Sequence, residues 1–89
     1  VREIVIQVIQ DQIRDILVAH GRMAADAREV DAQADLTKFG LTSHATVDVM
    51  LALEDAFDIE FPEELLKKST FESIHNMAAV IDGLVKSSA

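Results

Sequence analysis

The sequence predicts an all-α chain, a small bundle of three main helices and one short helix. Three observations carry this. Apolar residues recur at helical spacing in three separate stretches, capping or breaking residues bound those stretches, and no run alternates like a strand ladder. The expected helices cover about 2–20, 43–56, 62–68 and 70–85 of one domain spanning 1–89. Apolar residues make up 49% of the chain without a Trp or Tyr, so the core must be built from Ile, Leu, Val, Met, Ala and four Phe. With 89 residues the chain is near the lower range in which one core folds unaided.

In the first helix, Ile4 or Val5, Val8, Ile9, Ile13, Ile16 and Leu17 share one stripe, and Gln10, Asp11, Arg14 and Asp15 lie opposite. Gly21 is the expected stop, with His20 and Arg22 near the negative end of the helix dipole. From Arg22 to Leu41 the periodicity dissolves. A connection this long is unusual in a small domain, and Val30, Leu36, Phe39 and Leu41 are expected to tuck inward and pin it. Gly40 permits the sharp turn that follows.

The next helix opens at Thr42 or Ser43, both good N-cap types, and buries Val49, Met50, Leu53 and Phe57. Asp58 to Pro62 is an extended link, because Pro62 disfavours helix at the residue before it. Pro62 can also open the short third helix, Glu63 to Lys68, acidic first and basic last. Ser69-Thr70-Phe71-Glu72 fits a capping box and starts the last helix, whose apolar stripe runs Phe71, Ile74, Met77, Ala78, Ile81, Leu84, Val85.

The formal net charge of −8 disfavours nucleic acid, whose affinity rests on basic groups against phosphate, and disfavours anionic membrane surfaces. It suits encounter with basic protein partners. There is no cysteine, so thiol chemistry requires an attached group. No stretch has the length and apolarity of a membrane span or the core of a signal peptide, so the cytoplasm is the expected location. A monomer is expected. His20, His44 and His75 are scattered without metal-ligand spacing, and neither a calcium loop nor a phosphate-binding glycine loop is present.

Ser43 stands where the Gly40 turn becomes helix. Taken locally, its hydroxyl reads as a cap for an orphan backbone N–H. His44 is poorly placed as a base for it, because adjacent helix residues point about 100° apart. A hydrolase would need an orienting acid and an oxyanion hole besides, and no such set can be located.

The wider stretch says more. Asp35-Leu36, Phe39-Gly40-Leu41, Ser43, and then Val47 through Glu54-Asp55-Ala56-Phe57-Asp58-Ile59 to Pro62 resembles the acyl carrier protein family. That resemblance implies the family's four-helix bundle and no catalytic activity. It further implies a 4′-phosphopantetheine arm on Ser43 that comes from coenzyme A and carries cargo as a thioester. The chain departs from the family's habit of an acidic residue before the serine and Leu or Ile after it, having Thr42 and His44. Gly40-Leu41-Thr42-Ser43-His44-Ala45 looks more like small stand-alone aminoacyl carrier proteins.

The implied partners are a phosphopantetheinyl transferase, an acyl- or amino-acid-activating ligase, and downstream acceptor enzymes. They would dock on His44, Val47, Asp48, Leu51, Glu54 and Asp55, an apolar pair flanked by charge beside Ser43. The alternative is an unmodified acidic helical adaptor that binds a protein partner and uses Ser43 only as a helix cap.

Overall fold

The helical spacing of the sequence becomes three α-helices joined by π and 3-10 turns, with no strand among the described residues. The computed structural model describes residues 2–23 and 26–87, with side chains for 5–23 and 26–86. α1 (Arg2–Ile16) runs directly into a π-helical turn, Leu17–Gly21, that completes the first expected helix. Its buried line is Ile9, Ile13 and Leu17, one residue every fourth position.

Val5 and Val8 do not join that line, contrary to the sequence reading; they are half exposed at 45% and 51%. Counting from Ile13, they sit about 80° and 140° round the helix, beyond the strip that α3 covers. Ile4 lies outside the described side chains. Arg14 is also not a solvated residue. Its Nη1 donates to the carbonyls of Ala27 (2.8 Å) and Val30 (2.6 Å), tying the long connection to α1. The stop differs too: Gly21 is buried within the π turn, and Arg22 takes the left-handed conformation, φ 52°.

The connection after α1 is a chain of aspartate turns. Asp26, Asp31 and Asp35 each accept from the backbone N–H two residues on, at 3.0, 2.8 and 3.0 Å. Ala27, Val30, Leu36 and Leu41 are buried between these turns, and Phe39 is half-buried. Two backbone bonds tie the connection to the start of the last helix: Leu36 N–H to Glu72 O (2.8 Å) and His75 N–H to Ala32 O (2.7 Å).

α2 (Ser43–Phe57) buries Ala45, Val49 and Leu53 completely, with Met50 and Phe57 half-buried. It ends at Asp58 in the left-handed region, φ 52°, and the side chain of Glu54 accepts from Phe61 N–H at 2.9 Å. The short third helix expected over 62–68 shrinks to a single 3-10 turn, Glu63–Leu65. Bonds of the i to i+3 type continue from Thr70 to Lys67 and from Phe71 to Lys68. A segment this short cannot offset the cost of helix nucleation unless a face is buried, and Leu66 stays 47% exposed.

α3 (Ile74–Ser87) begins later than the Ser69–Glu72 capping box placed it. The cap is Ser73, whose Oγ accepts from Asn76 N–H at 3.1 Å. The reason is tertiary. Thr70, Phe71 and Ser73 are all buried, and the Glu72 carbonyl is taken by Leu36, so the chain here crosses the core before it coils. Ile74, Met77, Ala78 and Ile81 then complete one core with the α1 and α2 lines.

Candidate functional site

Local chemistry presents Ser43 in four steps. Asp35 caps the 3-10 turn Leu36–Phe39, accepting from both the Thr37 N–H (3.0 Å) and the Thr37 hydroxyl (2.6 Å). These bonds, the hydroxyl's first, hold the Asp35 carboxyl below its ordinary value, with smaller help from Lys38 and Lys68. Leu36, fully buried, anchors the turn. Gly40 then adopts φ 99°, which a side chain would strain, and reverses the chain so that Leu41 packs inward.

Thr42 follows in extended conformation and caps α2, its Oγ1 accepting from Ala45 N–H at 3.0 Å. Ser43 is therefore the first helical residue and not the cap. Its side chain is exposed, and its hydroxyl enters no hydrogen bond among the described residues. This corrects the adaptor reading, which gave Ser43 the capping role alone. It also accounts for Thr42 standing where an acid is usual, since threonine and aspartate are both N-cap residues.

Ser43 opens on a groove of about 650 Å³ between α2 and residues 66–72. Leu41, Val47, Met50, Leu66 and Phe71 supply its apolar surface. Phe71 is held edge-on to Phe61 with ring centroids 5.4 Å apart. Thr37, Thr46, Lys67, Lys68 and Glu72 supply the polar part. A group joined through Ser43 Oγ fits this place: the oxygen is accessible, it is free of capping duty, and it borders a groove.

The suggested docking residues share the neighbouring side of α2. His44, Val47, Leu51 and Asp55 are exposed, Val47 and Leu51 by 50% and 54%, while Asp48 and Glu54 are half-buried. Glu54 differs from the rest, because its Oε2 is committed to Phe61 N–H. Reasoning from the sequence missed that bond, and it missed the lysine pair on the groove. The signal available for the lysines was their adjacency in an acidic chain, but only folding brings them beside Ser43. His20, His44 and His75 remain exposed and apart, and no group of metal-ligating side chains forms among the described residues.

A helical bundle that presents an unengaged serine at a helix entrance, beside an apolar groove, has the build of a carrier domain. Comparison with known proteins agrees. The family described as "Phosphopantetheine attachment site" matches residues 7–81. The chain is 45% identical over 62 residues to an aminoacyl carrier protein of Agrobacterium fabrum, covering 70% of this chain and 75% of that one. It is 30% identical over 76 residues to an acyl carrier protein of Campylobacter fetus, covering 85% and 95%.

Its fold is similar to a chain in the crystal structure of an engineered Bradyrhizobium japonicum glycine:[carrier protein] ligase complexed with carrier protein from Agrobacterium tumefaciens and ATP. The TM-score there is 0.80 at 38% identity, over 83% of this chain and 96% of that one. Another similar chain comes from the Bradyrhizobium japonicum ligase complexed with glycylated carrier protein, with TM-score 0.72 and 29% identity over 82% and 97%. The chain belongs to the phosphopantetheine-attachment family. It is a carrier protein and not an enzyme.

Proposed function

We propose that this carrier receives its arm on Ser43 and carries an amino acid delivered by an amino-acid-activating ligase. The observation that carries the proposal is the division of labour at the α2 entrance. Thr42 caps the helix, and Ser43 is left exposed with an uncommitted oxygen. The attached arm supplies the terminal thiol on which cargo is held as a thioester. The chain's own residues supply position: Asp35, Gly40 and Thr42 fix where the serine stands.

The aminoacyl preference is supported by the Agrobacterium relative and by the ligase complexes in which similar chains are found. His44, Val47, Asp48, Leu51, Glu54 and Asp55 form the proposed contact face for transferase and ligase, with acidic groups round an apolar pair. Complementary charge there raises the rate of encounter, and the apolar centre prolongs the complex.

Incubation with coenzyme A and a broad-specificity transferase, followed by intact mass and peptide mapping, tests the attachment. A phosphopantetheine on the Ser43 peptide is expected; modification elsewhere, or none with several transferases, overturns it. The modified protein is then offered to a glycine:[carrier protein] ligase with ATP and glycine, and separately to a malonyl transferase. Aminoacyl loading is expected, and efficient malonyl loading alone overturns the aminoacyl reading.

A further inference from the structure

We propose that Arg22 is a contact residue for the amino-acid-activating ligase, meeting a carboxylate of that enzyme beside the α2 face and fixing the orientation in which the carrier is held. The inference rests on the ligase docking at α2.

Among the described residues three have a positive φ: Gly40, Asp58 and Arg22. Gly40 has no Cβ, and aspartate is a type whose short polar side chain tolerates the left-handed region. Arg22 has neither property. Glycine is the ordinary residue where a helix ends left-handed, and the chain has one a position too early. The π turn takes in Gly21 and leaves Arg22 at φ 52°, ψ 38°.

The fold makes no use of the side chain kept there. Arg22 is exposed and enters no ion pair or side-chain hydrogen bond among the described residues. The other two arginines of this region are both engaged, Arg14 with the Ala27 and Val30 carbonyls and Arg28 with Asp15. Arg28 also takes the acids nearest to Arg22 along the chain: Asp15 by its guanidinium at 2.6 Å and Asp26 by its backbone N–H at 3.0 Å. A strained residue without a partner inside the chain points to a partner outside it.

The location fits. The π turn packs against α2, and Leu41 Cδ1 lies 3.6 Å from where a Cβ on Gly21 would stand. Leu41 is two residues before Ser43, so Arg22 is at the end of the molecule that presents the serine. The face it adjoins carries Asp48, Glu54 and Asp55. Acidic groups alone fit a basic patch in more than one orientation. A guanidinium beside them removes that freedom: a uniformly basic surface is repelled there, and one with a carboxylate opposite is held in a single register. Arginine's planar fork matches a carboxylate in geometry as well as charge.

The test uses whole protein that already bears its arm, checked by intact mass, and loads it with the Bradyrhizobium japonicum glycine:[carrier protein] ligase, ATP and glycine. Arg22→Gly is expected to raise the urea midpoint, because the strain is relieved. It should also raise the ligase KM for the carrier on the order of fivefold at low salt, with kcat kept and the gap narrowing as salt rises. Arg22→Lys keeps both strain and charge, so the midpoint should stay and most of the KM should be restored. Carbodiimide, which condenses an amine with a carboxylate, should then crosslink position 22 of the Arg22→Lys protein to the ligase, as mapped by mass spectrometry.

A midpoint that falls with Arg22→Gly shows that the side chain is structural and overturns the proposal. So does an unchanged KM, or a position 22 that never crosslinks to the ligase. Asp48→Lys with Asp55→Lys reports docking separately. If that pair slows loading and Arg22→Gly does not, this proposal alone falls. If loading ignores every one of these changes, or the ligase does not load the unaltered protein, the docking reading falls and this one with it.

Discussion

Two helices of this protein open on a hydroxyl side chain, and the two openings do opposite work. At α3 the serine is the cap itself: Ser73 is 5% exposed, and its Oγ accepts from Asn76 N–H. Around it the chain is bonded on both sides, inward through His75 N–H to Ala32 O and at the surface through the Asn76 side-chain amide to Ser69 O. At α2 the cap is Thr42, one position earlier, and Ser43 is exposed with nothing asked of its oxygen. Displacing the cap by one residue turns a structural hydroxyl into an available one.

The largest expected effect separates the two openings outright. Ser43→Ala should abolish attachment of the arm by intact mass and leave the urea midpoint unchanged, because no hydrogen bond is lost. A clear loss of stability would show that Ser43 is structural. Ser73→Ala should do the reverse. Attachment persists while stability falls by about 0.5–2 kcal/mol, toward the upper end because the cap is buried. In a domain of this size that is on the order of 4–8 °C in Tm per kcal/mol.

Glu54 sharpens the boundary between fold and docking face. Glu54→Ala should cost about 1–3 kcal/mol in denaturant unfolding, because Phe61 N–H is left without its acceptor. Glu54→Gln keeps an acceptor of the same reach and should lose less. Equal losses would mean that the charge, and not the hydrogen bond, matters.

Asp48→Lys with Asp55→Lys should instead leave unfolding unaltered and slow loading by the ligase at low salt. The difference should narrow as salt screens the charges. If loading ignores both changes at every salt concentration, the docking face is elsewhere.

The smallest effect is on the acid limb. Asp35 has its carboxyl held low by the Thr37 hydrogen bonds, so its contribution is present above the unfolded carboxylate range and lost as pH falls through the lower folded value. Asp35→Asn should therefore lower Tm slightly at pH 7 and flatten its loss below about pH 4, the two proteins converging in acid. An unchanged acid limb would show that the Thr37 bonds do not bias folding.

The readable parts of this chain were those whose information is local. Spacing located three helices, Gly40 located a reversal with φ 99°, and Leu36 was legible as an inward anchor of the long connection and is fully buried. Ser43 stood out because a Gly-Leu turn, a hydroxyl and a periodic helix follow in order. What the sequence by itself determined is thus the helical class, the entrance to α2 and the residue types gathered there, since capping, turn chemistry and periodicity act over a few residues.

Only the tertiary structure decided the remainder. It chose Thr42 over Ser43 as cap, withdrew Val5 and Val8 from the core, spent Arg14 on the carbonyls of Ala27 and Val30, and spent Glu54 on the N–H of Phe61 beyond the end of its helix. It reduced the third helix to one turn, moved the start of α3 to Ile74, and brought Lys67 and Lys68 beside Ser43. The physical reason is common to all of these. A buried backbone group must find a partner and an apolar face needs a neighbour, and where partner and neighbour lie is settled by segments distant in sequence.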